Sequence, residues 1–259
     1  MLERSRHPVR WFMAAALLII LLTVAAMATP VLKGSAIRDF GGAKGAPVAV
    51  AFFSGDMGFD FGMSGKVGEA IARRGIPVIG FNSAKYFSKH HSRAEVDGIV
   101  ADAIRLTLAR SGARRIVLMG QSYGADMVAT VAPDLPPDLK ARLAAVAMIV
   151  PAQTVYFRAD PLGFAYRGTP DAQPLEAIRR FDAAPLVCIY GLEEEDSLCP
   201  PLLDAGAHVT GLPGGHFLHH DSRRLSDTLL NQLQAADPTI LMTGASVPVT
   251  ASPSDSKSG

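Results

Sequence analysis

A chain of 259 residues with 49% hydrophobic and 19% charged side chains can bury one sizeable core and is too apolar to be disordered throughout. Its 25 basic and 24 acidic residues leave a formal charge of +1, which excludes the strong positive field expected of a nucleic-acid-binding surface. No metal-ligand cluster and no nucleotide-binding loop stands out, so neither a metal nor any other cofactor is expected.

In chain order, Arg4, Arg6, His7 and Arg10 precede an uncharged apolar stretch, residues 11–28, that ends in Ala26-Met27-Ala28. A basic flank, a hydrophobic run and small residues spaced A-x-A predict that residues 1–28 are an export signal. The run is also close to the length that spans a bilayer, so an uncleaved N-terminal anchor is the alternative. Both place the remaining chain outside the cytoplasm.

Apolar runs and helical patterns then alternate. Residues 47–54 (PVAVAFFS), 76–81 (IPVIGF), 115–119 (RIVLM), 144–150, 186–190 and 207–211 read as strands; residues 67–74, 94–111, 125–131 and 225–233 read as helices. The strand runs are continuously apolar, not alternating, which predicts strands covered on both faces. Six of them interleaved with helices predict one α/β domain over residues 29–235, an open and mostly parallel sheet with helices on either side. Residues 153–174 have no clean period and read as an excursion over one end of the sheet, where loops shape substrate pockets. Residues 236–259, rich in Thr, Ser, Pro and Ala, read as a disordered tail.

The chemistry concentrates in three places. Gly120-Gln121-Ser122-Tyr123-Gly124 is a G-x-S-x-G motif set between a strand and a helix, the context of a nucleophile elbow. A serine hydroxyl is weakly nucleophilic near neutrality and needs a base, which in turn needs an orienting carboxylate. In this architecture the order along the chain is serine, acid, histidine. His216, in Gly214-Gly215-His216-Phe217 just after the last strand, is the preferred base over His219 and His220. Four carboxylates, Glu193, Glu194, Glu195 and Asp196, follow the strand at 186–190. Asp196 is taken as the acid because of its spacing to Pro200, with Glu194 as the alternative. An oxyanion hole is expected from the backbone of Tyr123 together with the turn after the first strand, at Asp56 and Met57. Cys188 and Cys199 are close enough in sequence to close a small loop as a disulfide in an exported protein.

Five segments in this order, SGDMG, the Lys85–Phe87 stretch, GQSYGAD, CIYGLEEEDSLCP and LPGGHF, resemble the VirJ/AcvB family of bacterial virulence-associated proteins. The resemblance runs from about residue 48 to residue 221, and departs mildly at Gly58-Phe59, where the family carries glycine-tryptophan. It implies a periplasmic α/β-hydrolase fold, and for AcvB-like members hydrolysis of the aminoacyl ester of lysyl-phosphatidylglycerol. On that reading Ser122, Asp196 and His216 are catalytic, while Asp56 and the Glu193–Glu195 cluster, Glu194 included, attract the cationic lysyl head. Tyr156, Phe157 and Tyr166 then face the lipid or the membrane surface. The resemblance also implies alternatives: a VirJ-like binding role with type IV secretion components as partners, or a broad small-ester hydrolase.

Overall fold

The computed structural model of the chain describes residues 11–19 and 34–241. Most of the expected export segment and all of the tail beyond residue 241 lie outside the described residues. Residues 11–19 are helical, and no helix among the described residues is long and apolar enough to cross a membrane.

The sheet has seven strands: β1 (Ile37–Asp39), β2 (Val48–Phe53), β3 (Val78–Phe81), β4 (Arg115–Gln121), β5 (Leu143–Ile149), β6 (Leu186–Gly191) and β7 (His208–Leu212). Six correspond to the apolar runs of the sequence. β1 escapes a hydrophobicity reading because it is three residues long, two of them charged, and it lies half-exposed and antiparallel against β3 at the sheet edge. The remaining pairs are parallel, in the order β1-β3-β2-β4-β5-β6-β7.

Period-two geometry explains why those runs are continuously apolar. On β2, Ala49, Ala51 and Phe53 point into one core, and Val48, Val50 and Phe52 point into the other. The first core is closed by α2 (Arg93–Ser111) through Val96, Val100 and Ile104, and by α3 (Tyr123–Val131) through Met127 and Val128. The second is closed by α1 (Ser64–Arg73) through Val67 and Ile71, and by α4 (Ser222–Ala236) through Leu225, Leu229 and Leu233. α2 begins in a capping box: Ser92 accepts from the Glu95 N–H, and Glu95 returns a carboxylate to the Ser92 N–H. Packing continues past the expected end of the domain, since Pro238–Leu241 form a 3-10 turn with Ile240 buried.

The strand order reverses direction at β2. The chain leaves β2 for β3 on one side and returns to β4 on the other, so the carboxyl ends of β2 and β4 flank a crevice. Open α/β sheets bind ligands at such a switch point. Ser122 follows β4, and the Gly55–Gly58 turn follows β2.

Candidate active site

Ser122 sits in the turn between β4 and α3 with φ 53° and ψ −126°, outside the conformations L-residues ordinarily adopt. The two glycines of the motif make the turn possible by close approach. A Cβ on Gly120 would stand 2.2 Å from the carbonyl oxygen of Gly124, and one on Gly124 would stand 2.3 Å from that of Phe53. The backbone is anchored by Ser122 N–H donating to Ile149 O at 2.8 Å, while Ser122 O accepts from Ala125 and Asp126 N–H to open α3. The hydroxyl is thereby carried above the sheet edge, at the positive end of a helix.

Ser122 Oγ lies 2.8 Å from His216 Nε2. On the other side of the ring, His216 Nδ1 lies 2.8 Å from Glu194 Oε1. A carboxylate on Nδ1 fixes the tautomer with its proton there, leaving Nε2 to accept from the serine hydroxyl. Glu194 is 6% exposed and its second oxygen accepts from Gly191 N–H at 2.8 Å, whereas the His216 ring is 43% exposed and faces the crevice. The bond to Glu194, more than the opposing effect of burial, holds the His216 pKa above the ordinary imidazole value.

This corrects the expected acid: the carboxylate on His216 belongs to Glu194, not Asp196. The cause is the path of the loop after β6. Residues 192–193 run beside β7 and its following loop, with Leu192 N–H on Leu212 O and Glu193 N–H on Gly214 O. Glu194 closes a tight turn back onto Gly191 O, next to the His216 loop. Residues 196–198 then cross toward the loop after β5, where Ser197 bridges Ala152, Gln153 N–H donates to Asp196 O and Leu198 N–H donates to Pro151 O. Glu194, expected also as a substrate contact, is occupied by His216 and Gly191. Cys188 and Cys199 are joined as a disulfide across this excursion.

Two cavities meet at Ser122 and His216. The smaller, about 60 Å³, is walled by Met57, Phe61, Met63, Val150 and Phe217. The larger, about 430 Å³, is lined by Asp56, Asp126 and Asp196 together with Tyr123, Tyr156 and Tyr166. Asp56 and Met57, the expected oxyanion turn, line both. A Cβ on Gly55 would stand 3.6 Å from that of Ser122, so the turn runs alongside the serine. Tyr123 is the first residue of α3, and a helix gives no internal acceptor to its first N–H groups. Tyr166 donates to Asp56 at 2.8 Å and Tyr156 donates to Gly168 O. Phe157 is not at the surface but buried in the core under the loop.

Three features were not singled out by sequence reasoning. Gln121 is buried and its side-chain oxygen accepts from Ser64 Oγ at 3.1 Å, while Ser64 Oγ accepts from Gly55 N–H at 3.3 Å. That chain fixes the turn beside the nucleophile from within the motif itself. Asp126 lies one helical turn beyond Ser122 and accepts from Ala152 N–H, and burial pushes its pKa up to about 8. The i, i+4 spacing from Ser122 was the available signal. Asp56 is likewise raised by burial, in spite of the hydrogen bond from Tyr166. The Tyr123 hydroxyl is buried beside this cavity with no hydrogen-bond partner among the described residues.

A family model described as "Bacterial virulence protein (VirJ)" matches residues 47–237. No curated protein matches the chain. Among solved structures, the chain is similar to an esterase of Pyrobaculum calidifontis (12% identity, TM-score 0.51, covering 82% of this chain and 90% of that one). It is similar also to the esterase domain of a Rhodothermus marinus protein (16% identity, TM-score 0.52, 74% and 95%). A third is the thioesterase domain from the curacin biosynthetic pathway (13% identity, TM-score 0.53, 75% and 94%). At these identities the likeness is one of fold, that of the α/β-hydrolases.

Proposed function

The chain belongs to the VirJ family of bacterial virulence proteins, and we propose that it is a serine hydrolase of the periplasm that cleaves the aminoacyl ester of lysyl-phosphatidylglycerol. The reading is carried by one observation: Ser122, His216 and Glu194, distant in sequence, form a continuous hydrogen-bonded chain at the carboxyl edge of the sheet. An elbow serine in a strained backbone with a base and an orienting acid in line is the arrangement for acyl transfer.

In the proposed reaction Ser122 Oγ attacks the ester carbonyl as its proton passes to His216 Nε2. The tetrahedral oxyanion is held by backbone N–H groups of Tyr123 and of the Asp56–Met57 turn. Collapse breaks the bond to the alcohol, which takes the proton from His216, leaving lysine esterified to Ser122. Water, deprotonated by His216, then releases lysine and returns the proton to Ser122. Glu194 stabilises the imidazolium formed in both halves.

The lysyl assignment draws support from the larger cavity. Three acidic side chains, of which Asp126 becomes a carboxylate only as pH rises through about 8, and three tyrosine rings beside the nucleophile suit a cationic acyl group, through ion pairing and cation–π contact. Export draws support from the disulfide, which persists in an oxidising compartment.

The test has two stages. A fluorophosphonate probe should label the wild type and not Ser122→Ala. Expression of the wild type, but not of Ser122→Ala, should deplete lysyl-phosphatidylglycerol from the host membrane. Labelling without depletion would retain the hydrolase and reject the lipid; absence of labelling would reject the hydrolase.

A further inference from the structure

Residues 34–241 leave six large apolar side chains exposed: Met57, Leu162, Phe164, Leu192, Leu203 and Phe217. Five of the six stand in loops that follow the carboxyl ends of parallel strands. Met57 comes after β2, Leu162 and Phe164 after β5, Leu192 after β6, and Phe217 after β7. Leu203 alone lies at the opposite end, in the turn that enters β7. Apolar exposure scattered singly needs no account, but gathered on one edge it marks a surface that meets something apolar. That edge is the one that carries Ser122.

Met57 and Phe217 are accounted for by the two cavities they line. Leu162 and Phe164 line neither, and are 70% and 66% exposed. They sit on the loop whose Pro161 walls the larger cavity, so they form its outer rim. Two arginines share this loop. Arg158 and Arg167 are both exposed, and neither is in an ion pair among the described residues. The Arg167 guanidinium stands 5.5 Å from the centre of the Phe164 ring. Asp160, on the same loop, accepts from the N–H groups of Leu162 and Ala165 and is in no ion pair with either arginine. After β6, Leu192 is followed by the exposed Glu193 and Glu195, which disfavour contact of that segment with an anionic surface.

An aromatic and an aliphatic tip beside unpaired guanidinium groups is the composition that settles at a lipid headgroup layer. The apolar tips enter the boundary and the arginines meet phosphate. The chain also carries, at residues 11–19, a helix whose large apolar side chains are all exposed, a second element suited to a lipid phase. We propose that the loop bearing Arg158, Leu162, Phe164 and Arg167 docks the mouth of the site onto the surface of an anionic phospholipid bilayer. The proposal deepens the lipid-ester reading and rests on it for its biological sense, but docking is measurable without turnover.

The test is co-sedimentation of the full chain with vesicles of phosphatidylcholine alone, and with vesicles of phosphatidylcholine and phosphatidylglycerol in equal parts. The wild type is expected to partition preferentially to the anionic vesicles. Leu162→Asp with Phe164→Asp, and separately Arg158→Glu with Arg167→Glu, should each lower that partitioning by about tenfold. Leu203→Asp, the sixth exposed residue at the far end, should bind as the wild type. The helix at residues 11–19 is common to all four proteins, so the ratio between them isolates the loop. Thermal unfolding of each variant establishes that it is folded. Equal partitioning of wild type and both double variants, or an equal loss in Leu203→Asp, would overturn the proposal; so would a wild type indifferent to phosphatidylglycerol. Fluorophosphonate labelling of the same samples keeps the two readings apart: a wild type that does not label counts against the hydrolase and leaves the vesicle result standing.

Discussion

Glu194 grips His216 with one carboxylate oxygen and the N–H of Gly191 with the other, each at 2.8 Å, so the last residue of β6 sets the orientation of a ring that follows β7. The two strands are adjacent and parallel, with Gly191 in register with Leu212. The acid is therefore anchored on the end of the sheet, at the start of the loop that follows β6.

The first prediction separates Glu194 from Asp196. Glu194→Gln keeps the shape but loses the charge that stabilises the imidazolium, and kcat on an ester substrate should fall by about 10³-fold with a small change in KM. Asp196→Asn should retain kcat within about tenfold, because Asp196 contributes a cavity wall and no bond to His216. The reverse ranking in steady-state assays would transfer the acid role to Asp196.

The pH profile follows from the same bond. His216 must be neutral to accept the serine proton, so kcat/KM should rise with pH as the ring loses its proton. With Glu194 raising its pKa, the midpoint should lie above the usual imidazole value of about 6.5. Glu194→Gln should move that midpoint down as activity drops. An unmoved midpoint would mean that the limb reports another group.

How much of this was legible in the sequence depends on the length scale of each signal. The buried strands β2 and β5 announce themselves because every residue of each is apolar, and the elbow because the glycines of the motif are required by backbone approach. β1 was invisible, since an edge strand of three residues carries no burial pattern. Spacing to Pro200 and the neighbouring Cys199 favour Asp196 over Glu194 in the sequence; what decides is the crossing of residues 196–198 to the loop after β5, a pairing between segments more than forty positions apart. The Gln121–Ser64–Gly55 chain is long-range in the same sense.

That chain yields a third prediction. Gln121→Leu fills the same space but leaves Ser64 without its acceptor, freeing the turn whose backbone faces the nucleophile. Loss of a preorganised oxyanion geometry acts on the transition state, so kcat should fall by about tenfold or more with KM little changed. A proportional rise in KM at constant kcat would assign Gln121 to substrate binding instead.

The larger cavity gives a pH-dependent discrimination. Asp126, with its pKa pushed up to about 8 by burial, is protonated near neutrality and gains a negative charge as pH rises through that value. KM for an ester of lysine should therefore fall between pH 7 and 9 relative to that for the same ester of norleucine, which has the four-carbon side chain without the ammonium group, by about three- to tenfold. Asp126→Asn should flatten the ratio. If the ratio is flat in the wild type as well, the ammonium does not occupy this cavity.

The disulfide connects stability to the site. Cys188 lies within β6 and Cys199 lies 11 residues on, so the bond closes the loop that holds Glu194. Cross-linking a loop this short restricts the unfolded chain, and removing the bond should cost about 2–3 kcal/mol. In Cys188→Ala with Cys199→Ser the loop is still held by the Ser197–Ala152 bridge and the Glu193 and Glu194 backbone bonds, so the fold should persist with a lowered Tm. Because Glu194 sits inside the released loop, its hold on His216 should loosen before the domain unfolds. The variant should therefore lose kcat at temperatures where its circular dichroism is still native, and the acid limb of its pH profile should shift down toward that of Glu194→Gln. Coincident loss of activity and of secondary structure on heating would show that the bond supports the fold alone and does nothing particular for the acid.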